Sequence, residues 1–277
     1  MNILFEKYSG CGNDFILIDN RLHVLPQPLS PDFVKHLCHR QKGIGADGVI
    51  LLQDSPVADF RMRIFNSDGS EAEMCGNGIR CLSRYIEDHG IKRASFTIQT
   101  MHQLLPIQIV NSQIFVQMPM PDEIKLSIPL PLSGKTKTLT VHYADTGVPH
   151  AVLFVDDLNV DCLMEHAREI RFHDKFGQKG ANVNYAKMVT SHLFHIRTYE
   201  RGVEAETLAC GTGAAAVALI ARKMVHKDPA SLERPINIIV KSQDQLSFSF
   251  DPTSHTMMMS GPAEKVFQGE VRVQLKV

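Results

Sequence analysis

The stretch RIFNSDGSEAEMCGNG, Arg63 to Gly78, returns in altered form as RTYERGVEAETLACGTG, Arg197 to Gly213. Each has a basic residue, an aromatic two places on, and a polar residue, Asn66 or Glu200. An acidic EAE triplet, a Cys-Gly-x-Gly elbow and a helical run follow, and the second copy is one residue longer. Order and letters agree, which reads as an internal duplication. The expected fold class is therefore α/β (α+β), with two pseudo-symmetric domains, each presenting one cysteine, Cys75 or Cys210, at a helix start.

The flanking pattern fits. ILFEKYSG and NDFILIDN read as strands around a turn, and GVILLQ, FRMRIFN, ASFTIQT and QIFVQM read as further strands. SPDFVKHLCHRQ spaces Phe33, Val34, Leu37 and Cys38 as a helix opened by Ser30 and Pro31. GIRCLSRYIEDHG places Ile79, Leu82 and Ile86 on one helical face and stops at Gly90. The proline-rich passage Met118 to Gly134 interrupts the pattern and is the expected domain crossing. Beyond it come strands, a helix near CLMEHAREIR, a strand HLFHIRTYE, the second elbow and its helix, then LSFSF and VRVQLKV as half-buried strands.

Composition narrows the function classes. A formal charge of -1 gives no basic surplus, so neither nucleic acid nor membrane is expected as a partner. The amino terminus lacks a signal-peptide pattern, and AAAVALIA is far short of the roughly 20 residues a span needs. A cytoplasmic location is expected. The six cysteines show no CxxC pairs, so structural zinc is not expected, and Cys38 and Cys162 read as small buried hydrophobes. Cys11 and Cys81 lie near the motifs, and the sequence assigns them no specific role. GIGADG, Gly43 to Gly48, matches G-x-G-x-x-G, but it follows a helix and precedes a strand, the reverse of a dinucleotide fingerprint.

A thiol at a helix N-terminus sits in the positive end of the dipole, which favours thiolate. The glycines admit a ligand close to free N–H groups that can hold a carboxylate. Two such elbows facing one cleft could invert a stereocentre: one thiolate removes the α-proton, and the other thiol returns a proton to the opposite face. The carbanion between those steps needs several preorganised donors, each worth about 3–4 kcal/mol. A buried structural cysteine is the bland alternative for either elbow alone. The duplicated context favours chemistry.

GCGNDFILID, GIGADGVILL, FNSDGSEAEMCGNGIRC and YERGVEAETLACGTGAAA, with the spacing between them, resemble the diaminopimelate epimerase family over nearly the whole chain. The resemblance implies cofactor-independent interconversion of LL- and meso-2,6-diaminopimelate, on the route to lysine and peptidoglycan. It implies two domains, each a mixed sheet wrapped around a central helix, over residues 1–118 with 264–277 and over 119–263. Carried over by position, Cys75 and Cys210 are the acid/base pair. Gly76, Asn77, Gly211 and Thr212 hold the reacting carboxylate, with Asn13 supporting that end. Asn66, Asn182, Glu200 and Arg201 grip the distal end, and His150 and Glu200 tune the cysteines' protonation. The partner is a small-molecule amino diacid; a homodimer stays open.

Two positions depart from the pattern. Val148 stands in GVPH where many members have asparagine, and Gly48 where some have glutamine. Losing a buried polar contact costs about 1–3 kcal/mol, so distal specificity is the less secure part, and a shorter diacid such as glutamate becomes a candidate substrate. The alternatives are a racemase of another amino acid, of the glutamate or proline type, and an amino-acid-binding protein without catalysis.

Overall fold

The computed structural model describes residues 2–25, 28–91, 93–121, 123–132, 138–160, 163–225, 234–251 and 253–272. The chain divides into two compact units, Met1–Gln117 with Gly261–Val277, and Met118–Ser260.

The first unit opens with the strand pair β1 (Asn2–Gly10) and β2 (Asn13–Asp19), then helix α1 (Pro31–Cys38). Strands β3 (Gly48–Gln53), β4 (Phe60–Asn66) and the short β5 (Glu71–Ala72) lead into helix α2 (Gly76–Asp88). β6 (Ser95–Gln99), β7 (Leu104–Val110) and β8 (Gln113–Pro119) complete this run. The second unit repeats the order: β9 (Ile124–Leu130), β10 (Leu139–Asp145), β11 (Pro149–Phe154), α3 (Leu163–Arg171), β12 (Asn182–Thr190), β13 (Leu193–Glu200) and the short β14 (Ala205–Thr207). Helix α4 (Gly211–Val225) and β15 (Ile236–Ile239), β16 (Gln245–Asp251) and β17 (Thr256–Ser260) follow. β18 (Glu264–Arg272) then returns to pair antiparallel with β1, inside the first unit.

The duplication is explicit in the pairing. In the order β18-β1-β2-β3-β4-β6-β7-β8 the ladders run antiparallel twice, parallel, antiparallel, parallel, then antiparallel twice. In the order β9-β10-β11-β12-β13-β15-β16-β17 they run through the same succession. The EAE triplets, however, are not equivalent in space. Phe65 pairs with Glu71, and Tyr199 pairs with Glu206. Arg63 makes a double hydrogen bond to Glu71, and Arg197 to Glu206. The first glutamate of one triplet therefore matches the last of the other. The ladder and the bidentate pair fix the register, and the extra residue falls in the turn of the second copy.

Each unit is a mixed sheet around a central helix. The run GVILL is buried on both faces, which explains its continuous apolar character. Val49 and Leu51 pack with Val34 and Leu37 of α1, whereas Ile50 lies against the α2 backbone at Gly78. In the second unit Val141, Leu153 and Val183 pack with Ala167 and Ile170 of α3. The central helix α2 is buried from Gly76 to Ser83, and α4 is buried at every position from Ala214 to Ala221. A helix apolar all round belongs in an interior, and the alanines of α4 let β10, β11, β12, β15 and β16 contact it.

The proline-rich passage contains strand β9, which the sequence pattern does not suggest. Its Pro129 is tolerated because, among the described residues of its unit, β9 borders only β10, an edge position where a missing N–H does little harm. The sequence-expected helices near Ser30 and Cys162 form as α1 and α3, shortened at their ends, while Cys162 itself and residues 273–277 of VRVQLKV lie outside the described residues. Cys38 is a buried thiol of the α1 core, pushed up to about 12 by its burial. No helix among the described residues is long and apolar enough to cross a membrane.

Candidate functional site

Cys75 is the N-cap residue of α2. Its backbone is extended (φ -145°, ψ 119°), and its carbonyl accepts the Ile79 N–H at 2.9 Å. Its Sγ accepts the Gly78 N–H at 3.4 Å, so the thiol stands against the donors that open the helix. On its other side Sγ donates to Asn13 Oδ1 at 3.8 Å. One donor supports the thiolate and one acceptor supports the thiol. A group that must alternate between the two states needs both.

The neighbours of Cys75 come from three elements. Asn13, the first residue of β2, donates through Nδ2 to Asp47 Oδ2 at 2.7 Å, and its Oδ1 accepts Asn77 Nδ2 at 3.4 Å. Asn77 Oδ1 accepts Arg80 Nη2 at 2.9 Å. Arg80 is fully buried; it also donates to the Gly76 carbonyl at 3.0 Å and to Cys11 Sγ at 3.2 Å. Cys11 occupies the left-handed turn between β1 and β2 (φ 58°). Cys81, one place beyond Arg80, is held as a neutral thiol by complete burial. Asn66 stays apart from this group in hydrogen bonding: it ends β4 and binds Ser70 Oγ at 3.0 Å. It does pair with Gly48 across the ladder. A Cβ on Gly48 would stand 2.5 Å from the Phe65 carbonyl, so this backbone has no room there for the glutamine of other members.

In the second unit Cys210 directly precedes α4, and its carbonyl accepts the Ala214 N–H at 2.9 Å, as Cys75 does with Ile79. Its Sγ lies 3.4 Å from Thr212 Oγ1. The Thr212 carbonyl in turn accepts Thr146 Oγ1 at 2.9 Å. His150 and Asn182 are in register on parallel strands. Asn182 accepts the Arg201 N–H at 2.8 Å and donates to the Pro149 carbonyl at 3.1 Å, which ties the end of β13 to the start of β11. Glu200 is the last residue of β13.

His150 is completely buried, and its pKa is lowered to about 3, first by desolvation and then by the charge of Arg201. The ring is therefore neutral near pH 7. Its Nδ1 lies 3.1 Å from Asn184 Nδ2, which also donates to the Ala151 carbonyl at 3.3 Å. Asn184 Oδ1 meanwhile accepts Thr198 Oγ1 at 2.9 Å. An amide nitrogen can only donate, so Nδ1 accepts and the ring proton sits on Nε2. That Nε2 is buried and has no hydrogen-bond partner among the described residues.

Asn184 joins His150 to the elbow. A Cβ on Gly213 would overlap Asn184 Oδ1 and stand 3.4 Å from Cys210 Sγ. Gly213→Ala is therefore expected to destabilise the protein by about 1–3 kcal/mol, read as a lower urea midpoint. An unchanged midpoint would show that Asn184 moves aside freely.

A family model for diaminopimelate epimerase matches residues 5–122 and 142–266. The diaminopimelate epimerase of Methanocella arvoryzae is 41% identical over 281 residues, covering 98% of this chain and 97% of its own. That of Archaeoglobus fulgidus is 39% identical over 284 residues, covering 99% and 98%. The chain belongs to the diaminopimelate epimerase family. It is an isomerase by that membership. The diaminopimelate epimerase fold also extends to distant solved structures. A PhzF-family phenazine biosynthesis protein of Bacillus anthracis gives a TM-score of 0.76 at 19% identity, covering 99% of this chain and all of its own. A hydroxyproline epimerase of Agrobacterium vitis gives 0.69 at 13%, covering 98% and 92%. These likenesses carry the fold and no more.

The residues that sequence reasoning passed over are Asp47, Arg80, Asn184 and Thr198. Arg80 carried no clear signal: Arg84 and Glu87 follow it on the same face of α2, so it read as part of a solvated polar face. Asn184 shares a strand face with Asn182, two places before it. Asp47 lay inside GIGADG, set aside once a nucleotide site was rejected. Thr198 carried none.

Proposed function

We propose that this enzyme interconverts LL- and meso-2,6-diaminopimelate without a cofactor, with Cys75 and Cys210 as its two acid/base groups. The observation that carries the reading is the matched construction of the elbows. In both units a cysteine stands at the mouth of a buried central helix, followed by Gly-Asn-Gly or Gly-Thr-Gly. One cysteine as thiolate takes the α-proton while the other as thiol supplies a proton from the opposite face. The N–H groups of Gly76, Asn77, Gly211 and Thr212, at the starts of the two helices, receive the α-carboxylate, whose charge grows in the carbanion. Asn66, Asn182, Glu200 and Arg201 bind the distal amino acid end; the guanidinium of Arg201 suits a carboxylate. His150, neutral, acts through hydrogen bonds rather than as a cation. The reading places the enzyme in the cytoplasm, with a small diacid as its partner and neither nucleic acid nor membrane.

Proton NMR of LL-diaminopimelate with reduced protein in D2O tests this. Loss of the α-proton signal with growth of the meso isomer is the expected result. No exchange would sink the substrate assignment. Val148, half-buried beside the start of β11, leaves the distal end without the amide of other members, so slow turnover of glutamate is expected as well. A panel in which diaminopimelate alone reacts would refute that relaxed specificity.

A further inference from the structure

The rejected motif GIGADG has a use. Asp47, its fifth residue, receives Asn13 Nδ2 on Oδ2 at 2.7 Å. The carboxylate is itself held from several directions: Arg40 Nη2 binds Oδ1 at 2.7 Å, and the Asp14 N–H reaches Oδ2 at 3.2 Å. The Asp47 N–H closes the arrangement by donating to the Asp14 carbonyl at 2.9 Å. A carboxylate accepts and cannot donate. The amide of Asn13 is thereby left one orientation, with Nδ2 towards Asp47 and Oδ1 towards Cys75 and Asn77.

We propose that Asp47 is a positioning residue for Cys75, fixing the Asn13 amide so that its oxygen, not its nitrogen, faces the thiol. The inference rests on the acid/base reading of Cys75. Its consequence is specific. The oxygen accepts from S–H and supports the protonated form, offsetting the thiolate preference that the α2 N-terminus imposes. A reversed amide would donate to sulfur and add to that preference, leaving Cys75 a weaker base with less of it protonated to return a proton. Other charged or titratable groups around the elbow within this unit include Arg80 and Cys81 of α2, Cys11 in the β1–β2 turn, which Arg80 binds, and Glu73 just before the elbow. On the turn side stand Asp14, Arg40 and Lys7, linked in ion pairs. None of these is removed by a change at Asp47 alone.

The test titrates Cys75 directly. In a Cys210→Ser background, the rate of iodoacetamide alkylation is followed against pH, with the label located at Cys75 by peptide mass spectrometry. Asp47→Ala is expected to lower the apparent midpoint by about half a pH unit or more. Asn13→Ala should lower it too, and adding Asp47→Ala to Asn13→Ala should change it no further. Should Asp47→Ala not fold, Asp47→Asn replaces it: its amide can offer a donor or an acceptor, so a smaller downward shift is expected. An unmoved or raised midpoint in the folded Asp47 variant, while Asn13→Ala shifts, overturns the inference and leaves the acid/base reading intact. Epimerase activity surviving Cys75→Ser would instead sink that reading, whatever the titration shows.

Discussion

If the proposed acid/base pair is right, Cys75→Ser is expected to lower kcat for LL-diaminopimelate by about 10²–10⁴-fold, and Cys210→Ser to do the same, the range that removal of a positioned acid or base produces. Serine is the informative replacement because it separates chemistry from capping. Cys75 is the N-cap of α2 and its sulfur accepts the Gly78 N–H. Serine is among the preferred N-cap residues, so the helix start is kept or improved. Its hydroxyl, however, is too weakly acidic to alternate between base and acid near neutrality. The thermal midpoint should therefore hold while turnover collapses. In the proposed mechanism each cysteine is a base in one direction and an acid in the other, and an enzyme cannot change the equilibrium between isomers. Both directions must then lose kcat/KM by the same factor. The double variant should lose little more than either single one, as groups acting as a unit do. Separate assays from LL- and from meso-diaminopimelate check all three points. A single variant that keeps most of its activity in both directions would remove that cysteine from the reaction.

The parts of this architecture legible in the sequence are those that local periodicity encodes. α2 announces itself through Ile79, Leu82 and Ile86, and GVILLQ through an unbroken apolar run. The duplication was legible in order but not in register. EAE matched EAE by letters, yet Glu71 corresponds to Glu206, since only the ladder shows which glutamate faces Phe65 or Tyr199. The same limit applies to the site. Cys75 and Asn77 lie two residues apart and read as one motif. Asp47 and Asn13 are brought together by the parallel pairing of β2 with β3, which sets Phe15 opposite Gly48. Asn184 reaches Thr198 only because β12 and β13 pair those positions. Contacts that depend on strand register have no local signature, and the links from Asn13 to Asp47 and from Asn184 to Thr198 are of that kind.

His150 is expected to make the protein's stability fall as the pH drops from 7 to 5, by about 2 kcal/mol through this one ring. The sign follows from where the proton is welcome. In the unfolded chain an exposed histidine titrates near 6.5, whereas in the fold burial and Arg201 hold His150 at about 3. Between those values the unfolded state binds a proton that the folded state refuses. Stability contributed by the neutral ring is thus whole above pH 6.5, and is lost progressively as the pH falls towards 3. Protonating Nδ1 would also turn it from the acceptor of Asn184 into a second donor facing it, undoing the link to Gly213 and the Cys210 elbow. His142, also lowered by burial, adds to the same slope, so the measurement compares variants rather than reading one curve. His150→Asn stays neutral throughout the window; its absolute stability is lower because a ring is lost from a packed site, but its loss between pH 7 and 5 should be smaller by about 2 kcal/mol. Urea unfolding at pH 7, 6 and 5 gives both slopes. Parallel slopes would mean that His150 takes up its proton inside the fold, and the buried neutral ring would then have to be abandoned, along with its tautomer and its bond to Asn184.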